Sequence, residues 1–154
     1  MFRRPIQFCV LLVLGLIFAN AASASDPRLK KVLPQLIDTK ERSSLSPSLY
    51  ERDAYQAFLR AHSGERGGIR FAVLWHGSSK GKDLRLRVEM RGLRNEATLI
   101  KTLEVPVAKA GWFNTWTYLD LRGQEYKNFG ELAAWRVTLW DGTRQLSEQK
   151  SFLW

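Results

Sequence analysis

Residues 84–91 read LRLRVEMR, and this stretch decides the fold class because its apolar and charged side chains alternate without a break. Leucine, valine and methionine occupy the even positions, while arginine and glutamate occupy the odd positions. Successive side chains of a β-strand point to opposite faces of the sheet, so this pattern predicts a strand with one buried face and one charged face.

Other segments of strand composition lie on both sides of this one. The segment IRFAVLWH, residues 69–76, has the same two-residue period. Four more segments rich in β-branched and aromatic residues are separated by turns that contain Gly, Asn or Asp, and they cover residues 98–107, 116–121, 133–140 and 144–154. GQEYKNFG, residues 123–130, predicts a short helical turn that ends at a glycine. Six strands at this spacing favour an antiparallel sandwich or barrel.

Two segments with different sequence patterns precede these strands. Residues 25–47 carry three prolines and show no sustained period, which predicts an extended N-terminal arm. Ser48 and Glu51 form a capping-box pattern, and the apolar residues that follow recur at helical spacing. The sequence therefore predicts a helix at 48–62 that leads a single β-sandwich domain spanning 48–154.

Residues 1–24 have the three parts of a secretory signal peptide. Arg3 and Arg4 precede an apolar run of about 12 residues, and small residues stand before the expected cleavage point after Ala24. The run is shorter than the ~20 residues that a membrane-spanning helix needs. It contains Cys9, the one cysteine of the chain. We expect a cleaved, exported protein without disulfides or a transmembrane span, located in the periplasm or outside the cell.

The charge of the mature chain points to anionic partners. Cleavage removes two of the 24 Lys and Arg residues and none of the 15 acids, which leaves a formal charge of +7. A candidate anionic-ligand face comprises Lys80, Lys82, Arg85, Arg87, Arg91 and Arg94. It suits an acidic glycan or an anionic lipid surface, and we expect no nucleic-acid partner. The alternative, which we favour, is an ordinary solvated strand face or an edge protected by its cations.

A second candidate surface is aromatic. In the segment GWFNTWTYLDLRG, residues 111–123, the candidate aromatic contact face comprises Trp112, Trp116 and Tyr118. Exposed Trp and Tyr rings can stack on sugar rings or anchor an envelope protein. The alternative, which we favour, is that the helix or the N-terminal arm covers these rings.

The sequence shows no pattern typical of a catalytic, cofactor or metal site. The loop His76–Asp83 has three residues between its glycines where a phosphate-binding loop needs four, and a strand follows it where a helix is required. His62 and His76 are the only histidines, and the acids are scattered. We therefore expect no catalytic, cofactor-binding or metal-binding residues.

The C-terminal segment predicts a closing hairpin. Asp141 and Gly142 form a strong two-residue turn signal, and a bulge is expected in the hairpin. Phe152 and Trp154 are two residues apart, so on a continuing strand they point to the same side. We expect both rings to lie in the core.

The short turn before AWRVTLW, the motif Val-x-Leu-x-Asp-Gly at 137–142 and the polar-alternating last strand resemble the closing half of bacterial immunoglobulin-like or fibronectin-type-III-like domains. The resemblance covers about the last 50 residues and lacks the disulfide pair of antibody domains. It implies a mainly β fold, an antiparallel immunoglobulin-like β-sandwich of six to seven strands preceded by one N-terminal helix.

This fold hosts many unrelated functions, so it constrains the activity weakly. We expect an exported, non-catalytic binding or structural module of the cell envelope. The alternatives are an accessory subunit of an envelope assembly that uses its terminal strand or aromatic face, and a small periplasmic enzyme.

Overall fold

The computed structural model describes residues 26–78, 83–107 and 113–154, and over these ranges the protein is mainly β. The strands are β1 (Arg28–Asp38), β2 (Arg66–His76), β3 (Leu84–Arg94), β4 (Ala97–Pro106), β5 (Thr115–Arg122), β6 (Glu131–Asp141) and β7 (Arg144–Lys150), and the α-helices are α1 (Leu49–Ala61) and α2 (Gly123–Phe129). A 3₁₀ turn, Ser63–Glu65, joins α1 to β2. Each of the six segments predicted to form strands contains one.

The strands form two antiparallel sheets. Sheet A has the order β1-β2-β5, and sheet B has the order β4-β3-β6-β7. At the sides of the sandwich, β1 lies beside β7 and β4 lies beside β5. The described residues thus form a two-layer, sandwich-like architecture.

The predicted place of the helix is wrong, because a complete strand precedes it. The segment 25–47 contains β1, which pairs with β2 from Arg28 opposite His76 to Asp38 opposite Arg66. A register irregularity between Leu29 and Lys31 breaks the two-residue period, so the sequence does not show the usual strand pattern there. Pro34 is tolerated because β1 is the edge strand of sheet A. Helix α1 therefore connects β1 to β2 and is not N-terminal to the sandwich.

Helix α1 is attached to the edge of β1 through the buried side chain of Gln56. Its Nε2 donates to the Leu36 carbonyl oxygen at 2.8 Å, and its Oε1 accepts from the Leu36 N–H at 2.9 Å. The same Nε2 donates to the Ser43 carbonyl oxygen at 2.8 Å. One side-chain amide thus makes the pair of hydrogen bonds that a neighbouring strand would make.

The core lies between the two sheets and is built from alternate residues of their strands. The predicted buried faces of 69–76 and 84–91 are confirmed, since Ile69, Phe71, Val73, Trp75, Leu84, Leu86, Val88 and Met90 are all at most 4% exposed. Burying side chains of this size contributes roughly 2 kcal/mol each. The outward residues of the same strands therefore form the two open faces of the sandwich.

The C-terminal hairpin forms, but its last residues are not core. Strands β6 and β7 are joined by a tight turn at Gly142, whose φ is +56°, and a register shift follows in the hairpin as expected. Strand β7 ends at Lys150. Phe152 is fully exposed, and Trp154 is half-buried on the outer face of sheet B. The predicted burial of both rings in the core is therefore wrong.

The segment after β7 is held by Ser151 instead of by aromatic burial. The Ser151 N–H donates to the Trp135 carbonyl oxygen at 2.9 Å, and the Ser151 Oγ accepts from the Trp135 N–H at 3.0 Å. The Trp154 N–H then donates to the Ser151 carbonyl oxygen at 3.2 Å, which closes a turn. Strand alternation stops at this turn.

The predicted signal peptide, residues 1–24, lies outside the described residues. Among the residues that are described, no helix combines the length and the apolar character that crossing a bilayer requires.

Candidate functional site

The outer face of sheet A carries two uncovered aromatic rings. On β5, Leu119 and Leu121 point into the core, so the alternate residues Trp116 and Tyr118 point outward. These rings are 41% and 56% exposed. Among the described residues, neither part of the favoured cover lies over these rings, because α1 is attached to the edge of β1 and the arm forms β1 in the same sheet. Trp112, the third member of the predicted aromatic face, lies outside the described residues.

A paired arginine and aspartate lie beside the rings. Arg70 on β2 is opposite Asp120 on β5. Its Nε donates to Asp120 Oδ1 at 2.9 Å and its Nη2 donates to Oδ2 at 2.8 Å, a bidentate pair. The Arg70 guanidinium carbon also lies 5.6 Å from the centre of the Tyr118 ring. We call Trp116, Tyr118, Arg70 and Asp120 the aromatic face.

The aromatic face borders an open cleft of about 640 Å³. Its lining includes Arg122 and Glu125 in addition to Arg70, Tyr118 and Asp120. An open cleft beside exposed rings gives access to a ligand longer than the site itself.

The charged groups of this cleft balance one another. Arg122 donates to Asp120 and forms an ion pair with Glu41. Glu125 is paired with Lys101 at 3.0 Å. Among the described residues, three cations and three carboxylates are therefore arranged in pairs around the cleft, and their formal charges cancel.

The ionisation of the central pair is fixed by its contacts. Burial would raise the pKa of Asp120, but hydrogen bonds from Arg70 and Arg122 outweigh burial and lower the pKa below its usual value. The hydrogen bond to Asp120 raises the pKa of Arg70. Both groups therefore stay charged at neutral pH and present fixed donors and acceptors next to the rings.

The backbone under the aromatic face is also held in place. The buried indole of Trp75 donates from Nε1 to Thr117 Oγ1 at 3.1 Å, which ties β2 to β5 directly beneath the two rings. Leu74 lies opposite Trp116, so the apolar platform extends onto the second strand. The platform is preorganised by the sheet.

The predicted anionic-ligand face forms a basic row on the other outer face, that of sheet B, where Arg85 and Arg87 are paired with acids. Arg85 contacts Asp83 at 2.9 Å and Glu104 at 3.4 Å, and Arg87 contacts Glu104 at 2.8 Å. The hydrogen bond from Arg87 is the main cause that lowers the pKa of Glu104. Neutralisation by these carboxylates leaves little excess charge for an anionic ligand at this part of the row.

The other predicted cations are separated from that paired group. Arg91 lies over the Trp154 ring at 4.3 Å, and Arg94 donates to the backbone and side-chain oxygens of Asn128 at 3.3 Å. Neither has a carboxylate partner among the described residues. Lys80 and Lys82 lie outside them.

The two histidines are far apart. His62 ends α1, and its Nδ1 is 2.9 Å from the Phe58 carbonyl oxygen, whereas His76 ends β2. His62 lies just before the start of β2 and His76 lies at its end, and the eleven residues of β2 span about 33 Å. No single cleft can contain both histidines, and within the described ranges no group of three His, Cys, Asp or Glu side chains is placed to hold a metal ion.

Sequence reasoning missed Arg70 and Asp120. They are 50 positions apart, and only the register of β2 against β5 brings them together. The sequence does indicate that both side chains point outward, because each lies on a predicted strand whose opposite face is apolar.

Comparisons of the chain with protein-family models, with curated proteins and with solved structures find no match.

Proposed function

We propose that the chain is an exported, non-catalytic binding module of the cell envelope, and that it binds a neutral glycan on the aromatic face. The observation that carries this proposal is the exposure of Trp116 and Tyr118 beside the bidentate Arg70–Asp120 pair. The predicted signal peptide supports export.

The strand order supports an immunoglobulin-like or fibronectin-type-III-like sandwich. Immunoglobulin domains place strands A, B, E and D in one sheet and C, F and G in the other, and variable-type domains add C′ to the second sheet. With β1, β2 and β5 taken as A, B and E, the order β4-β3-β6-β7 corresponds to C′-C-F-G, and strand D is absent from the described residues. Such domains commonly serve as binding modules, although the fold alone does not specify a ligand.

The chemistry of the aromatic face fits a sugar polymer. The apolar faces of sugar rings stack on Trp and Tyr, whose rings offer large rigid contact surfaces. Sugar hydroxyls need both donors and acceptors, and the guanidinium of Arg70 and the carboxylate of Asp120 supply them in fixed positions. The balanced charges of the cleft favour a neutral glycan over an acidic one.

The test is retention of the purified protein by neutral and acidic polysaccharides in affinity electrophoresis. Trp116→Ala should weaken binding to a neutral polysaccharide by about thirtyfold, which corresponds to roughly 2 kcal/mol for one stacked ring. Tyr118→Ala should act in the same direction. Both variants should keep the melting temperature of the wild type because the rings are exposed.

Tyr50→Ala is the matched control. Tyr50 is also an exposed aromatic residue, at 83% exposure, but it lies on α1 and not on β5. It should bind as the wild type does. Failure of every neutral polysaccharide to retard the protein, or equal retardation of the Trp116→Ala variant, would contradict the proposal.

A further inference from the structure

One end of the outer face of sheet B exposes four large apolar side chains. They are Leu93 at 50%, Ile100 at 74%, Phe152 at 100% and Leu153 at 70% exposure. We call these four residues the apolar end patch. Monomeric proteins rarely leave such groups uncovered unless they contact another surface.

The topology places these residues at the same end. Ile100 on β4 lies opposite Arg91 on β3, and Leu93 follows two positions later on β3. Phe152 and Leu153 follow Ser151, which is bound to the backbone of Trp135 on β6. Three separate chain segments therefore contribute to the apolar end patch.

The tail that carries Phe152 and Leu153 is held in shape. The Trp154 ring has the guanidinium groups of Arg91 and Arg136 at 4.3 and 5.0 Å. The Trp154 N–H closes a turn onto the Ser151 carbonyl oxygen. With both ends of this turn attached to sheet B, Phe152 and Leu153 protrude from it.

Cations without carboxylate partners lie on β3 and α2 at the same end of the sandwich as the apolar end patch. Among the described residues, Arg91 and Arg94 contact no acid, and the exposed Lys127 at the end of α2 has no ion pair. Two acids near this end, Glu125 and Glu131, are bound to Lys101 and Arg66, and Glu96 lies in the β3–β4 turn.

We propose that the apolar end patch docks the protein on an anionic lipid surface. Phe152 and Leu153 enter the headgroup region, and Arg91, Arg94 and Lys127 contact lipid phosphates. A small apolar insertion combined with a few cations is the pairing that gives weak, reversible membrane attachment. The patch lies on sheet B, opposite the aromatic face, so lipid binding leaves the aromatic face open to its own ligand.

The experiment is co-sedimentation of the purified protein with two kinds of vesicle, phosphatidylcholine mixed with phosphatidylglycerol and phosphatidylcholine alone. We expect binding to the mixed vesicles, weaker binding to the neutral ones, and release at high salt. The double variant Phe152→Ser, Leu153→Ser should bind the mixed vesicles at least about tenfold more weakly. The double variant Arg94→Ser, Lys127→Ser should lose about tenfold as well.

Matched controls are available elsewhere on the surface. Leu49→Ser with Tyr50→Ser removes two large exposed side chains, at 66% and 83% exposure, from α1, and Lys30→Ser with Lys31→Ser removes two exposed cations from β1. Both control variants should bind vesicles within about twofold of the wild type, and circular dichroism should show that all variants are folded.

Three results would overturn the proposal. The first is the absence of sedimentation with either vesicle, and the second is wild-type binding by the Phe152→Ser, Leu153→Ser variant. The third is self-association of the wild type without lipid that this variant abolishes, because the patch would then be covered by a second copy of the chain. Analytical ultracentrifugation measures the third.

Discussion

The two outer faces of the sandwich use similar side chains in opposite ways. On sheet A, Trp116 and Tyr118 are 41% and 56% exposed, and they are available to a ligand. On sheet B, the ring of Trp154 is half-buried against the guanidinium groups of Arg91 and Arg136. Whether an aromatic ring on an outer face is open to a ligand therefore depends on the side chains that pack against it.

The same contrast holds for the carboxylates. Among the described residues, each face has one acid that contacts two arginines, Asp120 on sheet A and Glu104 on sheet B. The side chain of Asp120 is 8% exposed and that of Glu104 is 34% exposed. Because solvent screens an exposed pair and hardly reaches a buried one, the first acid should matter more for stability than the second.

The largest expected effect is that of Asp120→Ala. The substitution leaves Arg70, whose side chain is 22% exposed, without its bidentate partner. We expect the free energy of unfolding to fall by about 2–3 kcal/mol, as measured by urea denaturation. Binding to the neutral polysaccharide should be lost as well.

Glu104→Ala is the matched variant on sheet B. It removes an acid that also contacts two arginines, but in a more exposed setting, so the expected loss is about 0.5 kcal/mol. If both variants lost the same free energy of unfolding, the burial of Asp120 would not make its ion pairs more stabilising than those of Glu104.

The pH dependence of stability should come mainly from the side of sheet A. Asp38, at the end of β1, is 4% exposed and accepts hydrogen bonds from the Arg42 backbone and side chain, the Tyr55 hydroxyl and the Lys40 backbone. Burial would raise the pKa of Asp38, but these hydrogen bonds lower it from 3.8 to about 2.

A lowered pKa means that the native state holds this proton more weakly than the unfolded state does. The stabilisation is therefore complete above the unfolded pKa of 3.8, and it is lost as the pH falls through about 2. We expect about 2 kcal/mol to disappear between roughly pH 5 and pH 2. Urea denaturation across this range measures it, and the Asp38→Asn variant should show a flatter profile.

A smaller effect is expected for Trp154→Ala. Two cation–π contacts on a half-buried ring should contribute about 1 kcal/mol to the free energy of unfolding. Burial in the core would instead cost roughly 3–5 kcal/mol on truncation. Chemical denaturation separates the two, and Phe152→Ala, which removes a fully exposed ring, should leave stability unchanged.

The strands that the sequence shows clearly are those with one core face. In 84–91, every apolar side chain is buried, so the two-residue period directly predicts the fold. Strand β1 cannot be predicted in this way, because Pro34 and the irregularity at Leu29 and Lys31 interrupt its two-residue period. Its identity as a strand depends on pairing with β2, which no local pattern encodes.

The candidate site was harder to predict than the fold for the same reason. The cations of β3 are conspicuous in the sequence, but Glu104, which neutralises two of them, lies on β4. In β5, Trp116 and Tyr118 lie on the face opposite Leu119 and Leu121, but alternation does not show whether another element covers the two rings. The terminal prediction failed because the strand ends at Lys150, one residue before Ser151 binds Trp135.

The amide of Gln56 has a consequence for self-assembly. A foreign strand can extend a sheet only where edge N–H and C=O groups are free, and such extension is the first step of templated polymerisation. At Leu36 both groups already bind Gln56, and Pro34, two residues earlier, has no N–H to offer. An incoming chain therefore meets a helix and an incomplete ladder along this part of β1, which blocks extension of sheet A into a fibre there.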